Sequence, residues 1–471
     1  EPRTHLEVEA GDILMTCAGP RSRCGVTCLV KLTRPKLIIS GKMYQLRADP
    51  EIMDRQLLEF FLRDSATKKK IDEMKTGISD SGLNLTHGRF STLQIPLPPL
   101  AEQQRIVAKV EELFSELDAG EESLRRARRQ LGVYRQSLLK KAFEGKLTAQ
   151  WRTQHPDLLE SLDQLLQRIL EERQARYDEQ LEEWKLAVEQ WEQNGKKAKK
   201  PAKPRNLKPF DTLANEVQLG EIDGWVHTVL NPLIDDPAYG TSKKCGANVN
   251  GEGVLRIPNV VGGYINSDDL KFAQFDESEM FSLGLLKNDL LMIRSNGSVS
   301  IVGRCAQIRE QDTKFLYAGY LIRLRPNEAL IESTYLKFQL GSHELRVQIE
   351  NAAKSTTGVN NINAKEIQSL KINLCSLPEQ QEIVRLLDEQ FEVIEQNERE
   401  IDAALKRSEA LRQSILKKAF TGNLVPQDPT DEPASELLAR IRTEGDAAAQ
   451  LAKTKKKAAR KNVAKKSTKK P

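Results

Sequence analysis

Leu100-Ala-Glu-Gln-Gln-Arg-Ile-Val107 returns later in the chain as Leu377-Pro-Glu-Gln-Gln-Glu-Ile-Val384. Arg135-Gln-Ser-Leu-Leu-Lys-Lys-Ala-Phe-Glu-Gly145 returns as Arg412-Gln-Ser-Ile-Leu-Lys-Lys-Ala-Phe-Thr-Gly422. Both pairs lie 277 residues apart, with no gap between the two motifs. Two matches in one register predict an internal duplication, in which a globular region followed by a long helix occurs twice.

The same offset continues upstream of these motifs. Gly11-Asp-Ile-Leu-Met15 falls on Asn288-Asp-Leu-Leu-Met292, and a one-residue slip aligns Gly82-Leu-Asn84 with Gly358-Val-Asn360. The second region begins near Gly224, so the offset places the start of the first region before Glu1. The first region is therefore expected to lack roughly fifty residues; a naturally shorter first copy is the alternative.

Heptad patterns predict the two long helices. Apolar residues recur every three or four positions after a proline-rich break, which is typical of a coiled-coil seam. Polar residues at Gln390, Asn397 and Ser408 interrupt the second seam, where they are expected to fix register and partner choice. Gly145 and Gly422 follow the last turns, as helix C-caps do. The seam positions are Ile106, Val110, Leu113, Leu117, Leu124, Ala127, Leu131, Tyr134 and Leu138, and then Ile383, Leu387, Ile394, Ile401, Ala404, Leu411 and Ile415.

Some forty helical residues at about 1.5 Å each would make a rod on the order of 60 Å long. Two such helices in one chain can pair antiparallel, which would place the globular regions at opposite ends. The alternative is that each helix packs only on its own domain.

The globular regions alternate short β-like runs with turns, for example at 254–257, 289–293 and 320–324, followed by a helix predicted over Ser333–Glu350. The fold class is therefore α+β with mostly antiparallel sheets. Residues 157–193 predict a charged helix that carries Trp184 and Trp191. The run 195–204 is typical of a flexible basic linker.

The net charge of +5 is unevenly distributed along the chain. Residues 447–471 hold ten Lys/Arg and no acid, so the remaining body has 62 basic and 67 acidic residues. The body is therefore no general polycation, and any recognition of nucleic acid in it depends on local side chains. No apolar run reaches the roughly 18–20 residues that a membrane span needs. Six scattered cysteines form no disulfide framework and suit a reducing cytoplasm.

Catalytic motifs are not found. The sequence has no P-loop and no methylase-type Asp/Asn-Pro-Pro-aromatic segment, since Asn231-Pro-Leu233 does not match one. Asp157 with Glu183-Trp-Lys185 superficially matches a nuclease metal site, but a continuous helix would keep these residues apart. Cys17, Cys24 and Cys28 with His5 lack the tight spacing of structural zinc sites. No histidine has a plausible catalytic partner.

Binding is the remaining function class. Two loops occur in both copies and combine glycine with hydroxyl and amide side chains that can contact phosphates and base edges. The plain alternative is that glycine and asparagine only form turns and caps. The candidate DNA contacts are Arg21, Arg23, Thr76, Ser79 and Asn84 in the first copy, and Arg294, Ser295, Asn296, Lys354, Ser355, Thr356, Thr357, Asn360 and Asn361 in the second.

The duplicated Leu-x-Glu-Gln-Gln entry, the helix ending in Arg-Gln-Ser-x-Leu-Lys-Lys-Ala-Phe-x-Gly and the preceding Gly-x-Asn loop together resemble the type I restriction–modification specificity subunit. The resemblance covers about 1–150 and 224–425. It implies two target-recognition domains, each reading one half of an asymmetric bipartite site in double-stranded DNA, and a helical spacer that sets the gap between the half-sites. It also implies two methyltransferase subunits and restriction–translocase subunits as partners, which would bind S-adenosylmethionine, ATP and Mg²⁺, whereas this chain would be non-catalytic and bind none of them.

The repeat, the composition and the resemblance together divide the chain into six expected segments. They are the C-terminal part of target-recognition domain 1 (1–99), the first spacer helix (100–146), a charged helical insert with a basic linker (147–222), target-recognition domain 2 (223–376), the second spacer helix (377–424) and a basic, disordered tail (425–471). The strongest rival is a coiled-coil scaffold that holds two protein-binding domains apart, and a stand-alone nuclease is a distant third.

Overall fold

A computed structural model describes residues 6–193, 195, 200, 201, 203, 204, 218–220, 222, 224–235, 237–353 and 358–444. The chain divides into two compact units, and both long helices contribute to each of them. The first unit contains residues 1–128 and 399–471, and the second contains residues 129–398.

The first unit is built on a small antiparallel sheet. The strands of this unit are β1 (Ile13–Thr16), β2 (Ala18–Gly19), β3 (Thr27–Leu29), β4 (Met43–Leu46) and β5 (Leu83–Asn84). The strand order is β3-β1-β4, while β2 and β5 form a separate two-stranded ladder. The helices are α1 (Arg55–Arg63), α2 (Ser65–Met74), α3 (His87–Phe90) and the first part of α4 (Leu100–Phe143). One face of the sheet and α1 bury a core that includes Ile13, Met15, Leu57 and Ile106.

The second unit has a larger set of strands. They are β6 (Gln218–Leu219), β7 (Val226–Val229), β8 (Ala238–Tyr239), β9 (Glu252–Leu255), β10 (Lys271–Ala273), β11 (Leu290–Ile293), β12 (Ser295–Asn296), β13 (Cys305–Gln307), β14 (Leu316–Tyr317), β15 (Leu321–Leu324), β16 (Asn360–Asn361) and β17 (Lys371–Leu374). They form sheets β13-β11-β15-β8, β10-β9-β14 and β17-β7-β6, and a β12–β16 ladder. Between the named strands of the described chain only β9 and β14 pair in parallel, so the prediction of mostly antiparallel sheets is confirmed.

The helices of the second unit are mostly short. They are α5 (Ala149–Gln154), α6 (Leu162–Gln193), α7 (Ile257–Val260), α8 (Glu277–Leu283), α9 (Ser333–Leu340), α10 (His343–Ala352), α11 (Ala364–Gln368) and the first part of α12 (Leu377–Phe420). Single 3-10 turns lie at Pro156–Leu158, Asn231–Leu233 and Glu310–Asp312. The core of this unit includes Leu290, Met292, Tyr335, Leu336 and Ile383.

The duplication is confirmed element by element. β1 and β11, the ladders β2–β5 and β12–β16, and helices α4 and α12 all keep the 277-residue offset. From β3 to α2 the offset to the second copy is 278. The extra residue enters between β2 and β3, where seven residues become eight, and it is lost again between α2 and β5, where eight become seven. The predicted one-residue slip at Gly82-Leu-Asn84 is therefore wrong: β5 matches β16, so Asn84 corresponds to Asn361.

The two long helices pack antiparallel, as predicted. In the first unit Asp118 and Glu121 of α4 contact Arg412 of α12, and Arg128 contacts Asp402 at 2.8 Å. Residue numbers therefore rise along one helix as they fall along the other. In the second unit Arg135 of α4 faces Glu395 of α12, at 3.9 Å.

Polar seam residues bond across this helix pair. The hydroxyl of Ser408 donates to Glu121 at 2.8 Å in the first unit, and Tyr134 donates to Gln390 at 3.2 Å in the second. The seam prediction is wrong for Leu411, which is 52% exposed, while Leu416 is buried; Tyr134 is 46% exposed but still bonds across the pair. An α-helix drifts by about 20° per heptad against a strict seven-residue repeat, so the buried face moves along the helix.

Two predicted segments need correction. The helix expected over Ser333–Glu350 is two helices, because the chain breaks at Gly341 and Ser342 then caps α10 by accepting from the Leu345 amide at 3.4 Å. In the tail predicted to be disordered, residues 434–444 are helical and Leu437 is buried. Residues 445–471, which carry the lysine run, lie outside the described residues.

A buried aspartate that pairs with an arginine occurs in both copies. Asp12 is 1% exposed and receives two hydrogen bonds from the Arg47 guanidinium, at 2.7 and 2.9 Å. Asp289 receives the same two bonds from Arg325, at 2.7 and 2.8 Å. Burial acts to raise the pKa of Asp12, but the bonds from Arg47, the Glu9 amide and Gln45 outweigh it and lower the pKa from 3.8 to about 2.

We expect the Asp12 pair to make the first unit acid-sensitive. A carboxyl whose pKa is depressed on folding stabilises the fold above its unfolded value, and this contribution is lost as pH falls from about 4 towards 2. The shift corresponds to about 2 kcal/mol at neutral pH. Urea titrations of wild type and Asp12→Asn should therefore differ most at pH 7, differ less as pH falls below 4, and converge only near pH 2. A difference that does not change with pH would contradict this account.

Candidate nucleic-acid interface

In the first unit, the predicted loop Thr76–Asn84 is a closed hairpin beside β2. The amide of Thr76 donates to the Asn84 carbonyl at 2.8 Å, and the Asn84 amide donates back at 2.7 Å. β2 then pairs with β5, which places Ala18 opposite Asn84. Gly77 has a φ of +153°, and a Cβ there would lie 2.7 Å from the Gly82 carbonyl oxygen, so the turn requires glycine. The side chains of Ser79 and Asn84 point away from the core and are exposed.

The loop 20–26 lies against this hairpin. The Arg21 amide donates to the Asp80 carbonyl at 2.9 Å, and its guanidinium donates to the Asp80 carboxylate at 3.0 Å. Lys75 in turn donates to the Arg21 carbonyl at 3.2 Å. Arg21 already pairs with Asp80, so the exposed Arg23 is the stronger candidate of the two predicted arginines for a phosphate contact.

The second unit has the same ladder. β12 pairs with β16, with Ser295 opposite Asn361 and Asn296 opposite Asn360. The Asn360 amide group donates to the carbonyls of Asn296 and Gly297, at 3.3 and 3.0 Å, so it holds the loop rather than facing outward. Asn361 is exposed. The structure thus brings together Arg294, Ser295, Asn296, Asn360 and Asn361, whereas Lys354, Ser355, Thr356 and Thr357 lie outside the described residues.

Arg294 directly precedes β12 and is held by contacts to several neighbouring segments. Its guanidinium donates to the Gly319 carbonyl at 2.9 Å and lies 4.7 Å from the centroid of the Tyr239 ring. Its backbone bonds to Tyr320 on one side and Ile362 on the other. Its equivalent in the first copy is Cys17, which makes the same two backbone bonds to Lys42 and Leu85.

Sequence reasoning missed two tyrosines in this cluster. Tyr239 is 45% exposed, accepts a hydrogen bond from the Ala364 amide at 3.0 Å and stacks on Arg294. Tyr320 is 61% exposed and bonds through its carbonyl to Arg294. The only signal in the sequence is that each tyrosine adjoins a glycine, at Tyr239-Gly240 and Gly319-Tyr320, and this is too common to identify a site.

The residues of the nuclease-like match do not converge on one site. Asp157 lies in a 3-10 turn, and Glu183 lies 21 residues along the continuous helix α6, about 30 Å from its first turn. Lys185 pairs with its neighbour Glu182 at 2.5 Å. Among the described residues no group of three or more His, Cys, Asp or Glu side chains is placed to hold a metal ion. None of the described helices is long and apolar enough to cross a membrane.

Comparison with known proteins finds one protein family whose model matches this chain. The family model described as the type I restriction modification DNA specificity domain matches residues 6–124 and 282–407, which together are just over half of the chain. The two matched segments contain both ladders in full, β2–β5 in the first and β12–β16 in the second.

Several curated proteins are similar over most of their length. The EcoKI specificity subunit of Escherichia coli K12 is 29% identical over 432 residues, covering 89% of this chain and 75% of the relative. The StySPI specificity subunit of Salmonella potsdam is 26% identical over 392 residues, covering 82% and 70%. A solved structure from work on the assembly and conformational transition of the type I R-M system covers 88% of this chain and 83% of its own, with a TM-score of 0.58 and 20% identity. This structural similarity is evidence about the fold alone.

Proposed function

The chain belongs to the type I restriction modification DNA specificity family, and on that premise we propose that it selects a bipartite DNA site through its two ladders and their loops. Each ladder, β2–β5 in the first copy and β12–β16 in the second, would present its exposed side chains to one half-site. The helices α4 and α12 would set the number of base pairs between the half-sites.

One observation carries this proposal: the two copies differ in length at the ladder loops. Within each copy the sheet, the ladder and the long helix keep their spacing, yet the loop after β2 or β12 and the loop before β5 or β16 each differ by one residue. Loops tolerate changes in length and carry binding residues on a rigid scaffold, so these differences fit two domains that read different sequences.

The candidate residues take different roles in this proposal. The exposed Asn84 and Asn361 are suited to base edges, since an asparagine amide can pair with adenine through two hydrogen bonds. Arg23 and Ser79 would contact phosphates, as would Lys354, Ser355, Thr356 and Thr357. Arg21, Thr76, Arg294, Ser295, Asn296 and Asn360 would hold the loops in shape.

The chemistry would belong to partner subunits. We propose that two methyltransferase subunits and restriction–translocase subunits join this chain, and that they bind S-adenosylmethionine, ATP and Mg²⁺, while this chain is non-catalytic. The cytoplasm, where DNA and these partners meet, is the location we propose. A coiled-coil scaffold for two protein-binding domains is not favoured, because the matching family is a DNA specificity family and the relatives above are specificity subunits.

Mapping adenine methylation in the host genome, with and without this gene, tests the proposal. We expect one bipartite motif with a fixed unread gap to lose methylation when the gene is deleted and to regain it on complementation. The purified chain with its neighbouring methyltransferase should methylate the same motif on synthetic duplexes, and a duplex with one half-site scrambled is the control. Absence of any gapped motif would overturn the proposal, and metal-dependent DNA cleavage by the chain alone would favour a nuclease.

A further inference from the structure

Each unit contains one arginine that stacks on a phenylalanine between the globular part and the long helices. In the first unit Phe60 of α1, 4% exposed, meets Phe114 of α4 edge to face, with ring centroids 5.6 Å apart. The Arg412 guanidinium of α12 lies over the Phe114 ring, 5.1 Å from its centroid. Arg412 also donates to Asp118 at 2.6 Å and to Glu121 at 3.1 Å.

The second unit repeats this arrangement with the helices exchanged. Phe338 of α9 meets Phe391 of α12 edge to face at 5.2 Å. Arg135 of α4 lies 4.6 Å from the Phe391 centroid and 3.9 Å from the carboxylate of Glu395. We call each set an arginine–phenylalanine joint: Phe60, Phe114, Arg412 and Asp118 in the first unit, and Phe338, Phe391, Arg135 and Glu395 in the second.

The joints are part of the duplication. Phe114 and Phe391, Asp118 and Glu395, and Arg135 and Arg412 are all separated by 277 residues, and the two arginines begin the repeated Arg-Gln-Ser motif. The globular part supplies one ring, one long helix supplies the second ring and the carboxylate, and the other long helix supplies the arginine. Because a guanidinium is planar, its stacking and its carboxylate bonds both depend on direction, so they restrict how the three elements can pack.

Resting on the proposed function, we propose that the two joints fix the orientation of each globular part on its helices, and so restrict the allowed gap between half-sites to one length. One base pair is about 3.4 Å along the DNA axis and about a tenth of a helical turn. A small change in the tilt of a reading domain is therefore enough to admit a neighbouring gap. Arg412 and Arg135 are positioning residues in this account and contact no DNA.

The joints are not equal. Arg412 has two carboxylate partners and its side chain is 14% exposed, whereas Arg135 has one more distant partner and is 32% exposed. Ser408 adds a hydrogen bond to Glu121 in the first unit, at 2.8 Å. Loss of the arginine should therefore loosen the first unit more than the second.

The test is a competition among duplexes that carry both half-sites and differ only in gap length, from two base pairs shorter to two longer than the natural gap. The full chain, assembled with its methyltransferase subunits, methylates the pool, and sequencing gives the relative rate for each gap. For Arg412→Ala we expect the preference for the natural gap over its neighbours to fall about tenfold, as loss of a partly buried stacked cation allows. For Arg135→Ala this preference should fall by a smaller factor.

Arg128→Ala is the matched control. Arg128 pairs with Asp402 across the same two helices, 2.8 Å apart, but both side chains are about half exposed. The Arg128→Ala variant should therefore leave the gap preference unchanged. Arg412→Lys keeps the charge but not the planar stack, and we expect it to give an intermediate loss of gap preference. This variant tests the proposal if Arg412→Ala does not fold.

The outcomes separate the two proposals. Broadened gap tolerance with unchanged half-site bases supports the joints. If Arg412→Ala keeps both half-sites and the natural gap preference, the role proposed for the joints is overturned and the specificity function is unaffected. Where the alanine variant does not fold, the same result with Arg412→Lys decides. A wild-type complex that prefers no bipartite sequence overturns the proposed function and the joints with it.

Discussion

Replacing Glu379 by alanine is expected to destabilise the second unit by about 3–5 kcal/mol, which is the usual cost of breaking a buried ion pair. Glu379 is fully buried at the start of α12. Its carboxylate accepts from Arg152 at 2.5 Å, from the Thr148 hydroxyl at 2.6 Å and from the Trp225 indole at 3.0 Å. Alanine would leave these three donors without their acceptor, including an arginine whose side chain is only 14% exposed.

Loss of Glu379 should also affect the segment that follows α4. Arg152 also donates to the carbonyl of the helix-capping Gly145 at 2.5 Å, so the cluster ties the segment after α4 to the beginning of α12. Thermal unfolding should show the loss as a midpoint lowered by roughly 10 °C. Glu379→Gln, whose amide oxygen can still accept from Trp225, should lose less.

The duplication supplies the control for this experiment. Glu102 occupies the same motif position in the first copy and is 6% exposed, but among the described residues its carboxylate has no hydrogen bond of this kind. Glu102→Ala should therefore cost less than half as much. Equal losses from both variants would show that the motif glutamate acts through helix packing and that the donor cluster contributes little.

The periodic features of this fold were predictable from the sequence. The motif offset of 277 gave the two copies and both long helices with matching ends, because a repeated helix carries its seam and its capping glycine with it. The antiparallel pairing also followed from two similar seams. The break between α9 and α10 was missed because Gly341-Ser342 interrupts no apolar periodicity, although serine there is a good N-cap.

Contacts between distant residues were not predictable. Trp225 and Glu379 are separated by 154 residues, and Tyr239 and Arg294 by 55, with no pattern that joins them. The ladder loops were found because they recur, but the sequence could not separate Asn360, which holds the loop, from the neighbouring Asn361, which is exposed. That difference depends on strand register, since adjacent residues of a strand face opposite sides.

This register gives the second prediction, a matched pair of variants. Asn84 and Asn361 lie at equivalent ladder positions, opposite Ala18 and Ser295, and both are exposed. If each reads a base in its own half-site, Asn84→Ala should relax the first half-site only and Asn361→Ala the second only. A bidentate base contact accounts for about 1–3 kcal/mol of discrimination, so the preference at one position should fall roughly tenfold or more.

Methylation of a duplex pool randomised one position at a time measures this directly. A base contact predicts a loss confined to one position, with the salt dependence of binding unchanged, whereas a phosphate contact predicts uniformly weaker binding and a shallower salt dependence. Asn360→Ala is the informative neighbour, because it removes two bonds that shape the loop and should weaken the whole second half-site. If Asn84→Ala and Asn361→Ala left every position unchanged, the ladders would be scaffold, and the reading surface would have to lie among other exposed side chains such as Tyr239 and Tyr320.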